Sequence, residues 1–194
     1  VRKFRTPLKN KTKEIKNEKG NKMSEYIRRC KLKGNVNYTQ DNEYYTPKTF
    51  VERFGKFDYD PATTKEKAEE FGIINYDTIE TNGLIRDWRK YKRIWINPPF
   101  TKKADFVKKA YKTYLEVKNE IYILFPIEYL TTLSFYENCK SCKIYIPNGR
   151  INFESGLGKK GKSPAFGSVV IKIQNKWEIE MINIKQAKLI QLKF

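Results

Sequence analysis

A chain of 194 residues is long enough for one domain with a proper core and too short for two ordinary ones. Forty Lys and Arg against 22 Asp and Glu give a formal charge of +18, a field that draws in polyanions, nucleic acid first; on charge alone a basic protein that merely stays soluble or binds membranes is the alternative. No apolar run approaches the ~20 residues of a membrane span, no basic-then-apolar leader opens the sequence, and the lack of any His removes imidazole as base, metal ligand or partner of a nucleophile.

Residues 1–33 hold 13 Lys or Arg against three Glu, with too little apolar surface to offset the entropy of ordering. Residues 1–40 therefore read as a basic flexible arm and residues 41–194 as the folded domain. Within the arm, Glu14, Glu18 and Lys22 have the i, i+4 spacing of a charged helix over 9–22 that could contact phosphates. From Tyr44 onward the pattern changes to short apolar runs. Phe50, Val51 and Phe54 recur at helical spacing after Pro47, and Gly55 closes that helix. Phe57-Asp58-Tyr59-Asp60 reads as a strand stopped by Pro61, residues 68–71 as a short helix, and Ile73-Ile74-Asn75-Tyr76 as a second strand. Arg93-Ile94-Trp95-Ile96 is a compact β-rich run that must end at Asn97, because neither Pro98 nor Pro99 can donate to a ladder. Residues 102–117 place Phe106, Ala110, Tyr111 and Tyr114 on one helical face, with Lys103, Lys108, Lys109 and Lys112 elsewhere. A buried strand at 121–125, a helix at 131–139 and strands at 144–146, 169–173 and 177–184 complete the pattern. Alternating strands and helices imply an α/β fold, a mostly parallel Rossmann-like sheet with helices on both faces; the strand-rich tail implies an antiparallel C-terminal hairpin.

Three cysteines, Cys30, Cys139 and Cys142, make an odd count that argues against a disulfide framework. A reducing compartment is expected, cytoplasmic or otherwise intracellular and holding nucleic acid. Cys139 and Cys142 have the C-x-x-C spacing, but with no second pair and no His they read as structural, and no metal is expected.

The strongest chemical signal is Asn97-Pro98-Pro99-Phe100, set at the carboxyl end of an apolar strand, the edge at which open α/β sheets bind ligands. Two prolines without N–H groups leave their carbonyls as free acceptors. The Asn97 side-chain oxygen and the Pro98 carbonyl can each accept one hydrogen of an amine, which leaves the nitrogen lone pair aimed at an electrophile. Phe100 can stack on a base plane. The same four residues read equally well as an ordinary strand-end turn, since Asn-Pro is a common turn starter.

Blocks around the strip extend the pattern. Glu43-Tyr44-Tyr45-Thr46-Pro47, Phe57-Asp58-Tyr59-Asp60-Pro61-Ala62, Asn82-Gly83-Leu84 with Asp87-Trp88, and Trp95 to Phe100 follow one another in order. Near the end come Gly149-Arg150-Ile151-Asn152-Phe153 and Ser163-Pro164-Ala165-Phe166-Gly167-Ser168. Over residues 43–173 this series resembles the phage-type, Dam-like DNA N6-adenine methyltransferases, a branch of the Rossmann-like S-adenosylmethionine-dependent methyltransferases. The Asn-Pro-Pro-aromatic strip alone is shared with RNA and protein-glutamine methyltransferases; its combination with Tyr-Thr-Pro and Asp-x-Asp-Pro-Ala is narrower.

The resemblance implies direct attack of adenine N6 on the sulfonium methyl of S-adenosylmethionine, with the base flipped out of the duplex onto Phe100. It implies that Asn97, Pro98, Pro99 and Phe100 carry the chemistry. It puts Tyr45, Thr46 and Pro47 beside the methionine part of the cofactor, with Asp58, Asp60, Pro61 and Ala62 next to them and a carboxylate paired with the methionine ammonium. Asp-Pro is also a common turn start, which is the plainer reading of Asp58 and Asp60. Asp77 stands where superfamily members often hold the ribose hydroxyls, and Asp87 is a candidate for the cofactor adenine, with a surface-loop acid as the alternative. Lys102 and Lys103 beside the strip, Arg150, and Lys159, Lys160 and Lys162 in a Gly- and Lys-rich segment are the candidate nucleic-acid contacts; that segment reads equally as a solvated turn. DNA is the implied partner. An RNA adenine methyltransferase and an inactive nucleic-acid-binding module of the same fold are the alternatives.

Overall fold

The computed structural model describes residues 44–155 and 166–183. The expected helix at 9–22, Cys30, and Lys159, Lys160 and Lys162 lie outside the described residues.

A seven-stranded sheet runs in the order β3-β2-β4-β5-β8-β6-β9. Its strands are β2 (Tyr59–Asp60), β3 (Asn75–Tyr76), β4 (Arg93–Ile96), β5 (Glu120–Pro126), β6 (Cys142–Pro147), β8 (Ser168–Ile173) and β9 (Glu178–Ile182). From β3 to β5 all neighbours are parallel, as helical crossovers require. Strand β8 then inserts antiparallel between β5 and β6. The expected antiparallel C-terminal pair is β6 with β8, and β9 adds to it at the edge. The chain reverses after β8, but β9 pairs with β6 rather than with β8, so it runs parallel to its neighbour.

Strand alternation divides the core. In β4 and β5, Ile94, Ile96, Ile121, Ile123 and Phe125 join one buried cluster, and Trp95, Tyr122 and Leu124 join the other. The first cluster takes Phe106, Val107 and Ala110 from α3 (Lys103–Val117), the helix that follows the strip. The second takes Phe50 and Val51 from α1 (Lys48–Val51) and Phe54 from the short 3₁₀ turn behind it. Helices α2 (Lys65–Phe71) and α4 (Leu133–Asn138) are each started by a threonine whose hydroxyl accepts an N–H of the first turn, Thr64 from Lys67 and Thr132 from Phe135. The helix expected at 131–139 is accordingly shorter, and a 3₁₀ turn (Ile127–Thr131) precedes it.

Three features were not apparent from pattern alone. Lys109 does not face solvent: its ammonium donates to the carbonyls of Leu84 and Arg86, both at 2.5 Å, and so ties α3 to the loop before β4. A separate two-stranded ladder joins β1 (Tyr44–Tyr45) to β7 (Glu154–Ser155). Gly83 is buried so closely against Pro61 that an added Cβ would lie 2.1 Å from the Pro61 carbonyl oxygen. Gly83→Ala must therefore push back the segment that leaves β2, and a loss of about 2–3 kcal/mol is expected in urea unfolding; an unchanged midpoint would contradict this packing. No helix among the described residues is long and apolar enough to cross a membrane.

Candidate active site

Strands β2 and β4 are neighbours, with Tyr59 opposite Ile94. Asp60 therefore ends beside Trp95, and Asn97 stands two residues beyond it, about 7 Å further along the sheet. The loops after β2, β3, β4 and β5 all leave at this carboxyl edge.

Asn97 is half-buried, Pro98 buried, and Pro99 and Phe100 exposed, with 44 % of Phe100 open. The Pro98 carbonyl accepts no hydrogen bond from the described residues. The expectation for the second proline is corrected: the Pro99 carbonyl accepts Lys102 N–H at 3.0 Å and closes the 3₁₀ turn that starts α3. One free carbonyl remains, not two. Phe166, from the second C-terminal block, meets Phe100 edge-on at 5.8 Å. Gly167 accepts Ile127 N–H at 3.0 Å and so moors that block to the end of β5. Two motifs more than sixty residues apart thus share one surface.

Lys103, a candidate nucleic-acid contact, is drawn toward the strip. Its half-buried ammonium lies 4.7 Å from the Phe100 ring centre and 5.4 Å from that of Tyr129. Burial pulls its pKa down, opposed by the charge of Glu128. Lys102 is exposed, 3.9 Å from Asp105, and Arg150 is exposed.

The four candidate carboxylates separate into different roles. Asp60 is 2 % exposed, and its carboxylate accepts Ala62 N–H at 3.0 Å. Burial pushes its pKa up to about 7, against that one hydrogen bond. Such a group is poised to take a cation. Asp77 is 1 % exposed and already engaged: it accepts the Tyr59 hydroxyl at 2.6 Å and two guanidinium bonds from Arg86 at 2.8 and 3.1 Å. Burial raises its pKa, but Arg86, Tyr59 and Thr81 outweigh that and hold it below the usual range. Its backbone bridges the same ends, Asp77 N–H to Asp60 O and Thr63 N–H to Asp77 O. Asp77 therefore braces the site through Tyr59 and Arg86.

Asp58 is corrected too. It stands before β2, at the opposite end of the sheet, where it accepts the N–H groups of Lys92 and Arg93 at 3.0 Å and fixes the start of β4. Asp87 is exposed and clasped by Arg89 through side chain and backbone, which holds its pKa down at about 2. Nothing in these contacts joins it to Asp60, and it fits the surface-acid alternative.

In the N-terminal block, Thr46 is 3 % exposed with an Oγ1 that has no hydrogen-bond partner, a buried polar atom that needs one. Pro47 starts α1, its carbonyl accepting Phe50 and Val51 N–H. Tyr45 lies beneath Lys67, whose ammonium is 5.5 Å from the ring centre. A buried carboxylate without a cation and a buried hydroxyl without a partner are the kind of groups that a ligand carrying an ammonium and polar oxygens satisfies.

A family model for DNA N-6-adenine-methyltransferases (Dam) matches residues 35–192, most of the chain. The chain belongs to the Dam family. A DNA N-6-adenine-methyltransferase of Escherichia phage T1 is 32 % identical over 134 residues, covering 61 % of this Dam-family chain and 55 % of that protein, so the chain spans about half the length of this relative. Among solved structures, a Listeria monocytogenes protein assigned to the class I S-adenosylmethionine-dependent methyltransferases aligns over 83 % of the chain and 72 % of its own length, at 12 % identity and a TM-score of 0.43.

Proposed function

We propose that the chain transfers a methyl group from S-adenosylmethionine to the exocyclic N6 amine of adenine in DNA, with the base turned out of the duplex and held by Asn97, Pro98, Pro99 and Phe100. The observation that carries this reading is one arrangement at the carboxyl edge. A strand-end amide, the available Pro98 carbonyl and an exposed aromatic ring follow directly on β4, whose neighbour β2 ends in the buried Asp60. Family membership supports the substrate.

The residues present fit the cofactor. Asp60 would hold its methionine ammonium, and Thr46 with Tyr45 its polar oxygens and chain. When bound, the cofactor supplies an electrophilic methyl on a sulfonium. Asn97 Oδ1 and the Pro98 carbonyl then accept the two hydrogens of the adenine amine, which orients the nitrogen lone pair and raises its electron density. As the N–C bond forms the C–S bond would break and S-adenosylhomocysteine leave, and the proton shed by the methylated amine would pass to solvent; no prior deprotonation is needed, so a chain without His can do this chemistry. Rate comes from alignment and from acceptors fixed in place before the reaction. Phe100 would stack on the base with Phe166 buttressing its ring, and the ammonium of Lys103, beside Phe100, would be available to the flipped nucleotide's phosphate.

Incubation with matched DNA and RNA of one sequence, followed by mass spectrometry of the nucleosides, tests the substrate. Methyladenine in DNA at least about tenfold above RNA is expected, since the 2′-hydroxyl distinguishes the two; methylation confined to RNA would overturn the assignment.

A further inference from the structure

The sequence of α2 carries none of the family's blocks, yet its first turn holds the best-connected lysine near the site. Lys67 is the third residue of α2, its N–H bonded to the cap Thr64 at 3.3 Å. Its side chain is 13 % exposed, low for a lysine. The ammonium bonds Glu70 at 2.6 Å on its own helix and also bonds Glu154 of β7. It lies between two rings, 5.5 Å from Tyr45 of β1 and 5.9 Å from Phe71 of α2. The two carboxylates outweigh the cost of burial and raise its pKa.

Three segments meet at this one group. Strand β1 precedes Thr46, whose buried hydroxyl lacks a partner. Strand β7 pairs β1 through Tyr45 and Glu154. Helix α2 begins four residues after Pro61, beyond the turn that leaves the buried Asp60. The β1–β7 ladder has only two residue pairs and lies outside the main sheet, so its backbone bonds alone hold it weakly. We propose that Lys67 is a positioning residue: with Glu154 it clasps β1 to the first turn of α2 and so sets Tyr45 and Thr46 against the Asp60 turn in the geometry that receives the cofactor. The proposal rests on the cofactor reading above. Lys67 itself touches no reacting atom; it acts through the segment it holds.

The test uses the 194-residue chain with the substitutions Lys67→Met, Lys67→Arg and Glu154→Gln. Binding of S-adenosylhomocysteine is followed by calorimetry, and KM and kcat are followed on DNA. Lys67→Met keeps the stem that packs on Tyr45 and Phe71 and removes only the charge. It is expected to weaken S-adenosylhomocysteine binding about tenfold and to raise the cofactor KM in step, with KM for DNA and kcat within about twofold. Lys67→Arg, which can reach both carboxylates, should restore binding to within about threefold of the unsubstituted chain. Glu154→Gln, which leaves Glu70 as a partner, should lose about threefold. Unchanged S-adenosylhomocysteine affinity in Lys67→Met that retains its circular dichroism spectrum would overturn the clasp. An equal fall in cofactor affinity, DNA affinity and kcat that Lys67→Arg does not rescue would also overturn it, marking a merely structural lysine. If the unsubstituted chain bound no S-adenosylhomocysteine, the cofactor reading itself would fail, a result distinct from either.

Discussion

Asn97→Ala is expected to lower kcat by about a thousandfold, while cofactor affinity and the unfolding midpoint change little. The amide is half-buried at the end of β4, after the last ladder residue, so its removal leaves the strand pairing and both core clusters intact. In the proposed mechanism it does remove one of two acceptors set where positive charge develops on the attacking amine. The Pro98 carbonyl cannot replace it, because one oxygen cannot direct both amine hydrogens and keep the lone pair in line. Asn97→Asp is the informative companion. It keeps an oxygen in place and is expected to retain far more activity than alanine. Stopped-flow single turnover separates the transfer step from product release; full activity of Asn97→Ala would refute the role given to the strip.

Asp60→Asn is expected to move two properties in opposite directions. Its side-chain oxygen can still accept Ala62 N–H, so the turn should survive. An isolated carboxyl has a pKa of about 4, and burial raises that of Asp60 to about 7. Between those values the folded chain binds a proton that the unfolded chain has lost. Stability therefore falls as pH rises from about 4 to about 7, and the cost is carried in full above that window. Asparagine removes the cost, so the ligand-free variant should be more stable than the unsubstituted chain at pH 8, and its stability should lack this component of pH dependence. Cofactor binding runs the other way. An ammonium needs the ionised carboxylate, so below pH 7 binding must expel a proton and affinity should drop about tenfold per pH unit. Calorimetry in buffers of different ionisation enthalpy at pH 6 should show close to one proton released. In Asp60→Asn affinity should be down about a hundredfold and flat between pH 5 and 7. A stabilised variant that binds as tightly as before would remove Asp60 from the site.

The parts of the fold legible in the sequence were those governed by local rules. Arg93–Ile96 is a strand at its expected limits because an apolar β-branched run meets two residues that cannot donate to a ladder. Phe106 and Ala110 are buried in α3 because a period of 3.6 shows over fifteen residues. The strip's place at the carboxyl edge follows from those same rules. What stayed hidden depended on partners far along the chain. Strands β1 and β7 have two residues each, too few to show a period, and they pair Tyr44 with Ser155 and Tyr45 with Glu154 from far apart in the chain. Asp58, Asp60 and Asp77 look alike in a sequence, yet Asp58 caps the far end of β4, Asp77 is bonded by Tyr59 and Arg86, and Asp60 is buried with no cation beside it among the described residues. Lys67 sits in a run of ordinary helix charges, and only the position of Glu154, 87 residues away, marks it out.

The most direct test of methyl transfer to adenine uses cofactor labelled in its methyl group, unmodified DNA and the purified 194-residue chain, followed by digestion to nucleosides and chromatography. The label is predicted to elute with N6-methyldeoxyadenosine and to vanish with Asn97→Ala. Label on deoxycytidine, or transfer to deoxyadenosine that persists without Asn97, would contradict the account.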